Sequence, residues 1–345
     1  MRTAELLDEL FSRHAAALER ELRAAVPPAD RSALYTMLAY HLGWVDAEGR
    51  PTEAVGGKRL RPTLLLLACQ AAGGDPAVAM PAAAAVELLH NFSLIHDDIQ
   101  DRATERRHRP AVWTVWGIAQ AINAGDAMHA AAALTALRCA AAGADTVVAL
   151  EVGALLHECC LRLVEGQYLD LQFERREEVT AEQYLGMVDG KTASLIATSV
   201  EMGALLGGAA ATRDRWRAFG LDLGRAFQIV DDVLGVWGDA GVTGKPAADD
   251  VVKGKRALPF LLARAALPAA EARRLGELYA PPERTPEHVA EATALMDRAG
   301  ARAACQAQAA ERLERAFAAL DAAGPAPKGR QELRALARFV VERDR

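Results

Sequence analysis

The stretch Glu87-Leu-Leu-His-Asn-Phe-Ser-Leu-Ile-His-Asp-Asp-Ile-Gln-Asp101 ends an apolar run with three carboxylates. A second apolar run, Arg225-Ala-Phe-Gln-Ile-Val-Asp-Asp232, ends with two. Carboxylates beside long apolar stretches lose hydration, which is tolerable when cations or hydrogen-bond donors neutralise them. Mg2+ does so with hard oxygen ligands, taking one or two carboxylates while waters and substrate phosphates fill its other positions. The two stretches therefore predict the two walls of one Mg2+ site for a diphosphate.

The spacing within the first cluster supports this interpretation. Asp97 and Asp101 are four residues apart and share a helix face, whereas Asp98 lies about 100° around the helix from Asp97. His90 lies two turns before Asp97 on nearly the same stripe. The alternative is a solvated helix face or a helix end. Like charges four residues apart destabilise a helix unless something compensates them, which favours a site.

Composition predicts an all-α protein. The chain has 345 residues, of which 51% are hydrophobic and 5% aromatic, with long Ala and Leu tracts and few runs typical of strands. No Ser/Gly/Pro linker or shift of composition divides it, so we expect a single domain over residues 1–345.

The sequence also argues against several kinds of partner and cellular location. A net charge of -6 without a Lys/Arg-rich block argues against a nucleic-acid partner. The five cysteines show neither zinc spacing nor a disulfide framework. The amphipathic N-terminal segment does not resemble a signal peptide, so we expect the protein to be cytoplasmic. Apolar runs such as residues 64–72 are shorter than the ~20 residues that span a bilayer, so we expect no integral membrane segment.

Two basic segments flank the first acidic cluster. Residues 56–62 read GGKRLRP, and the pair Arg106-Arg107 follows the cluster. Arginine offers a planar fork to phosphate oxygens, lysine a compact charge, and glycine a close backbone approach. Each segment alone has a plain alternative, a helix cap for the first and a surface pair for the second.

Taken together, the motifs resemble the trans-isoprenyl diphosphate synthases, also called polyprenyl synthetases. Besides GGKRLRP and ELLHNFSLIHDDIQD with its arginine pair, the motifs that carry the resemblance are GQYLDL (166–171), GKTASL (190–195), FQIVDDVLG (227–235) and GKPAADDVVKGKRALP (244–259). They occur in the family's order and at its spacing, and they run through most of the chain. The resemblance implies a single-domain isoprenoid synthase fold, with antiparallel helices around a deep central cavity, and a homodimer.

The resemblance also implies a reaction. Mg2+ draws the diphosphate away from an allylic substrate, which is dimethylallyl, geranyl or farnesyl diphosphate. The double bond of isopentenyl diphosphate attacks the resulting cation, and loss of a proton completes a five-carbon extension. Metal ions act as Lewis acids, and an apolar cavity keeps water from the cation.

Residue roles follow from the same resemblance. The direct metal ligands are Asp97, Asp101 and Asp231, supported by Asp98 and Asp232. The grips on the allylic diphosphate are Arg106, Lys191 and Lys245. The pocket for isopentenyl diphosphate comprises Lys58, Arg61, His90 and Arg107. The polar residues at the reaction centre are Thr192, Gln228, Gln167 and Asp170, although ordinary helix-face hydrogen bonding is an alternative for the last two. Lys255 resembles the lysine of a mobile loop that closes over the site.

Two positions depart from the family pattern. Gly235 stands where the second cluster usually has a third aspartate, so some metal support is missing there. The loss should be tolerable because Asp231 is the expected direct ligand, and a water could fill the gap. Ala257 stands where the family usually has a small hydroxyl residue, and we assign it no role.

Product length in this family depends on how deep the cavity runs below the first cluster. Ser93 lies almost one turn below Asp97, where a small side chain lets a growing chain pass. Phe92 beside it resembles the floor of synthases that stop at the C20 product, geranylgeranyl diphosphate. An ordinary core position for Phe92 is the alternative. The shorter farnesyl diphosphate (C15) and a longer C25 product also remain open.

Two other functions compete. A class I terpene cyclase shares the aspartate motif and the metals, but it needs no pocket for isopentenyl diphosphate. The second metal motif of a cyclase, which combines Asn/Asp, Ser/Thr and Glu, is absent from the sequence after Phe227. A catalytically silent partner subunit usually loses an aspartate cluster, whereas this chain keeps the first cluster complete and the leading pair of the second.

Overall fold

The computed structural model describes residues 3–52, 57, 59–174, 176, 178–238, 248–281 and 283–342. Lys58 and Lys245, both predicted to grip phosphate, lie outside these residues. The predicted all-α class is confirmed, because regular structure in the described residues is helical apart from one two-stranded hairpin.

Among its described residues, the first half of the chain carries eight α-helices. They are α1 (Thr3–Ser12), α2 (Ala15–Ala25), α3 (Ala33–His41), α4 (Leu60–Ala72), α5 (Pro76–Gln100), α6 (Val112–Trp116), α7 (Ile118–Leu137) and α8 (Thr146–Phe173). A short 3-10 turn, Ala29–Arg31, precedes α3. The hairpin follows α5 and pairs β1 (Glu105–Arg106) with β2 (Arg109–Pro110).

The second half continues in the same way. Its α-helices are α9 (Ala181–Val188), α10 (Ser194–Leu206), α11 (Arg213–Trp237), α12 (Asp249–Lys253), α13 (Leu258–Ala266), α14 (Ala269–Tyr279), α15 (Pro286–Arg298), α16 (Ala301–Ala323) and α17 (Pro327–Val341). A second 3-10 turn, Ala210–Thr212, precedes α11.

The chain groups into two compact units. The first unit comprises Met1–Cys160, Thr198–Arg217 and Ala323–Ala335. The second unit comprises Leu161–Ala197, Ala218–Ala322 and Leu336–Arg345. The acidic cluster at Asp97 belongs to the first unit and the cluster at Asp231 to the second. The organisation of residues 1–345 as one domain stays a prediction.

Helix α5 is the core helix of the first unit. The Asp75 carboxylate caps it by accepting from the backbone N–H of Ala77 at 2.9 Å, and Pro76 suits its first turn. Residues 82–86 are wholly buried, since their small side chains let neighbouring helices approach. By length and hydropathy α5 could cross a membrane, but 72% of its apolar window is buried inside the protein, as in a core helix.

A widened helical turn joins α9 to α10. Residues Asp189–Ala193 form a π-helical turn, so the helix continues through Gly190-Lys191-Thr192 with one extra residue in the turn. The Thr180–Gln183 capping box starts α9. Turns of this kind are rare and occur frequently at functional sites. Apolar spacing predicts a helix here but not the extra residue.

Candidate active site

The first acidic group lies at the C-terminal end of α5. Asp98 is buried, with 1% of its surface exposed, whereas Asp97 keeps partial exposure and Asp101 is exposed. Arg106, on β1, donates from Nε to Asp98 Oδ1 at 2.9 Å and from Nη2 to the same oxygen. Its Nη2 is also 3.6 Å from Asp97 Oδ2. Arg106, predicted to grip a diphosphate, therefore pairs with the carboxylates here.

The buried carboxylate of Asp98 is only partly compensated. Desolvation raises its pKa, against the opposing effect of Arg106. Its second oxygen, Oδ2, is buried and accepts no hydrogen bond from the residues that the structure describes. A buried carboxylate oxygen without a hydrogen bond is a hard donor atom, which a bound cation or a proton would stabilise.

Divalent metal fits this group by chemistry. Across the described residues, no cluster of three or more His, Cys, Asp and Glu side chains is arranged to hold a metal ion alone. Mg2+ does not need one, because it is usually held by one or two carboxylates together with waters and substrate phosphates. Carboxylate oxygens, one of them orphaned, are the donors that such an ion takes.

A basic group lies nearby in the first unit. The Arg61 Nη1 donates to His90 Nε2 at 3.2 Å, and Arg107 Nη2 donates to Asn91 Oδ1 at 3.4 Å. Desolvation, followed by the charges of Arg61 and Arg107, holds the pKa of His90 well below its usual value. The neutral ring therefore accepts at Nε2 and carries its proton on Nδ1.

The basic group carries more positive than negative charge. Desolvation lowers the pKa of both Arg61 and Arg107, and Glu87 opposes it. Glu87 also accepts from Asn91 Nδ2, at 3.1 Å on its side chain. Arg107 sits in the hairpin turn with a φ of 55°, a conformation that a long side chain rarely adopts. Two desolvated guanidiniums facing one carboxylate form a site suited to an anion.

The second acidic group lies on α11, in the second unit. Asp232 has 0% of its surface exposed. Tyr184 Oη donates to its Oδ2 at 2.6 Å, Gln228 Nε2 donates to its Oδ1 at 2.9 Å, and the backbone N–H of Leu258 lies 3.4 Å from Oδ2. Desolvation nevertheless raises the pKa of Asp232 to about 6. Asp231, by contrast, keeps partial exposure.

The predicted reaction-centre residues of this unit connect to Asp232. Thr192 Oγ1 donates to Gln228 Oε1 at 2.9 Å, which extends the chain of hydrogen bonds from the π-helical turn to α11. Lys191 Nζ donates to Asp170 Oδ2 at 2.6 Å. Gln167, which lies about one turn before Asp170 on α8, is half-buried. The structure therefore brings Lys191 to Asp170 and Thr192 to Gln228.

Lys255 faces the same carboxylates. Desolvation works to lower its pKa, but Asp232, Asp250 and neighbouring aspartates outweigh it and raise that pKa above its usual value. The ammonium is therefore charged at neutral pH, as a phosphate grip requires.

The space beside Gly235 is filled by a carboxylate rather than by a water. A Cβ built on Gly235 would lie 2.2 Å from Asp250 Oδ2 and 2.5 Å from its Cγ. The expected gap is therefore closed by Asp250, which α12 supplies. A side chain at position 235 would have to displace the Asp250 carboxylate from this space.

The predicted floor residues lie on α5 below Asp97. The Phe92 ring packs against the rings of His96 and His129, with centroids 5.0 Å and 5.1 Å away. Phe92 is buried, and Ser93 is partly exposed and donates from Oγ to the carbonyl of His90 at 2.8 Å. Phe92 is therefore backed by aromatic rings.

Three residues near these groups were not predicted from the sequence: His41, Tyr184 and Asp250. Asp250 lies within the GKPAADDVVKGK motif, so its acidic side chain was visible there as a signal. Tyr184 lies in an amphipathic helix, 48 residues from Asp232 along the chain, and His41 ends the largely buried helix α3. No local pattern marks either residue.

Comparison with known proteins identifies the family. Residues 47–296 match the model of the polyprenyl synthetase family. The chain is 43% identical over 316 residues to a geranylgeranyl diphosphate synthase of Mycobacterium tuberculosis, covering 91% of this chain and 88% of the relative. It is 47% identical over 227 residues to a (2E,6E)-farnesyl diphosphate synthase of the same species, covering 65% and 61%.

A solved structure shows the same fold. The polyprenyl synthase of Caulobacter crescentus CB15, crystallised with calcium and isoprenyl diphosphate, has a TM-score of 0.83 and 32% sequence identity, with 98% of this chain and 97% of that one covered. The chain therefore belongs to the polyprenyl synthetase family.

The buried histidine His41 generates a pH prediction. Desolvation, then the charges of Arg107 and Arg106, lowers its pKa to about 3. Below pH 6.5 the His41 ring binds a proton in the unfolded chain but stays neutral in the folded chain. The free energy of unfolding therefore decreases as the pH falls from 6.5 to about 3. We expect His41→Gln to reduce the loss of unfolding free energy between pH 7.5 and 5.0 by about 2 kcal/mol, measured by urea denaturation.

The control is His108→Asn, which removes an exposed imidazole and keeps a residue that tolerates its φ of 59°. It should leave the pH dependence as in the wild type. Equal pH slopes for wild type and His41→Gln would contradict a neutral, buried His41.

Proposed function

We propose that this protein is a Mg2+-dependent prenyltransferase that joins isopentenyl diphosphate head-to-tail (1'-4) to an allylic diphosphate. The observation that carries the proposal is the pairing of two opposite groups in the first unit. One group, at Asp97 and Asp98, presents carboxylates, with Asp98 Oδ2 buried and without a hydrogen bond from the described residues. The other group, at Arg61 and Arg107, presents two desolvated guanidiniums. These groups suit a metal-bound diphosphate and a metal-free diphosphate.

In this proposal the chain's own residues bind and orient the two substrates. Arg61, His90 and Arg107, together with Lys58, hold isopentenyl diphosphate, and the neutral His90 ring orients Arg61 without adding charge. The grips on the allylic diphosphate are Arg106, Lys191 and Lys245, and Lys255 closes over it. Arg106 would exchange part of its bond to Asp98 for phosphate oxygens.

Metal chemistry completes the site. Asp97, Asp101 and Asp231 would hold Mg2+, which would supply Lewis-acid assistance to the departure of the allylic diphosphate. The C1–O bond breaks with its electron pair on the diphosphate, the double bond of isopentenyl diphosphate supplies the electrons of the new C–C bond, and a proton leaves. The oxygens of Thr192, Gln228 and Gln167 would supply dipoles that stabilise the allylic cation. Asp170 accepts a hydrogen bond from Lys191 and holds it in place.

The proposed product is geranylgeranyl diphosphate. Phe92 with its backing of His96 and His129 would form the floor, and Ser93 would let the chain pass to it. Farnesyl diphosphate is the second candidate, favoured by the identity to a farnesyl diphosphate synthase over part of the chain. A C25 product remains a third.

We also propose a cytoplasmic homodimer. Large apolar side chains are exposed along α7 and α8, among them Leu134 at 68%, Val147 at 71% and Leu150 at 62%. Exposed apolar surface of this extent is typical of an interaction site, and a second copy of the chain supplies a matching apolar face.

The central test is an elongation assay with Mg2+, isopentenyl diphosphate and each of the three allylic diphosphates, followed by product sizing. Asp97→Ala should reduce turnover by at least about a hundredfold, since metal assistance contributes several kcal/mol. Its melting temperature should not fall, because the change relieves repulsion with Asp101. Chelation by EDTA should stop the wild-type enzyme.

Asp214→Ala, which removes an exposed acid from the first turn of α11, is the matched control and should keep full activity. No elongation by the wild type would refute the proposed function and favour a silent subunit. A cyclic hydrocarbon from one substrate would favour a cyclase.

A second prediction concerns product length. Phe92→Ala should lengthen the main product by at least one isoprene unit, because it removes the ring that closes the path beside Ser93. Products are sized by chromatography after dephosphorylation. Phe317→Ala, which removes a buried ring from α16, should leave the length unchanged. The same product from Phe92→Ala and wild type would make Phe92 an ordinary core residue.

A third prediction concerns assembly. Light scattering should give the wild type a mass near twice 36.8 kDa. Leu134→Asp should shift the protein to the monomer mass, because a charge in an apolar interface loses hydration without a partner. Val252→Asp, at an exposed apolar position on α12, is the control and should stay dimeric. A dimer that persists in Leu134→Asp would place the interface elsewhere.

A further inference from the structure

The π-helical turn Asp189–Ala193 is built into its surroundings by close backbone contacts. A Cβ on Gly166 of α8 would lie 2.1 Å from Lys191 N and 2.7 Å from Lys191 Cα. A Cβ on Gly224 of α11 would lie 2.6 Å from Ala193 Cα. The two glycines therefore let α8 and α11 touch the backbone of the turn, all within the second unit.

A bidentate ion pair fixes the first residue of the turn. Arg225 of α11 donates from Nε to Asp189 Oδ1 and from Nη2 to Asp189 Oδ2, both at 2.5 Å. The Asp189 hydrogen bond is the main reason that the pKa of Arg225 is raised. Asp222 lies 3.4 Å from Arg225 Nη1 and also accepts from Arg312 at 3.1 Å. The Arg225 fork is therefore held from both sides.

The ion pair sets the register of the residues that act on substrate. Asp189 and Thr192 are three residues apart, and so are their partners on α11, Arg225 and Gln228. Gln228 in turn donates to Asp232. The turn is thus joined to α11 at two points, Asp189 to Arg225 and Thr192 to Gln228. These two contacts fix the rotation of the turn relative to the second acidic group.

We infer that Asp189 and Arg225 are a positioning pair, which holds the widened turn so that Lys191 and Thr192 face the allylic diphosphate and the cation. The inference rests on the proposed function. The α-helical alternative for this segment lacks the extra residue, and it would rotate the residues beyond the turn by about 100° relative to those before it. The pair works through Lys191 and Thr192 and does not touch substrate.

A plain structural role predicts something different. The side chains of Asp189 and Arg225 are 32% and 19% exposed and form a bidentate pair, a geometry that can contribute to stability as well as to position. If the pair only stabilised the fold, its loss would lower the melting temperature and leave turnover per folded molecule unchanged. If it positions the turn, turnover falls while the fold persists.

The experiment measures turnover number, KM for each substrate and melting temperature in Asp189→Asn, Arg225→Gln and the double variant. We expect the turnover number to fall about tenfold or more, as small misplacements of reacting groups do, with KM for isopentenyl diphosphate unchanged. The double variant should be no slower than the slower single one, because both remove one interaction. Arg225→Lys keeps the charge without the fork and should fall between wild type and Arg225→Gln.

The matched control is a second bidentate pair, Arg274 with Glu291, whose two bonds are both 2.7 Å and join α14 to α15. Arg274→Gln and Glu291→Gln should leave the turnover number unchanged. Full activity in Asp189→Asn and Arg225→Gln, or a loss explained by unfolding alone, would overturn the inference while the proposed function stands. A wild type without elongation would overturn both, so the two failures are distinguishable.

Discussion

The loss of hydration by carboxylates at the ends of apolar helices is the constraint on which the candidate site depends. In both aspartate pairs the second acid is buried, at 1% exposure for Asp98 and 0% for Asp232, and the protein supplies its donors. The first acid of each pair, Asp97 or Asp231, stays partly exposed. Each pair is therefore asymmetric, because one acid is buried and hydrogen-bonded within the protein, whereas the other remains partly exposed.

Loss of hydration also acts on the positively charged side chains of the basic group. Buried guanidiniums lose hydration as carboxylates do, and the protein relieves this with one carboxylate, Glu87, and with neutral acceptors. His90 accepts from Arg61, and Asn91 accepts from Arg107. The neutral acceptors orient the two arginines without adding negative charge, so two guanidiniums facing the single carboxylate of Glu87 leave a net positive charge that suits an anion.

Much of the fold follows from sequence pattern, and parts of the site do not. The apolar run before Asp97 predicts a helix there, which the structure shows over Pro76–Gln100, and the acidic pairs are predicted by their contrast with such runs. The π-helical turn at Asp189–Ala193 is not, because its extra residue is set by glycines on other helices. Tyr184 is not either, since its bond to Asp232 spans 48 residues.

The replacement of the third aspartate by Gly235 changes where a carboxylate of the second group comes from. Its place is taken by Asp250, which belongs to α12 rather than to α11. Asp250 is one of the acids that raise the pKa of Lys255, five residues later in the same segment. A carboxylate on α11 would be fixed with Asp231, whereas the position of the Asp250 carboxylate is set by α12. The charge around Lys255 and the filling of the space at Gly235 therefore depend on the same short helix.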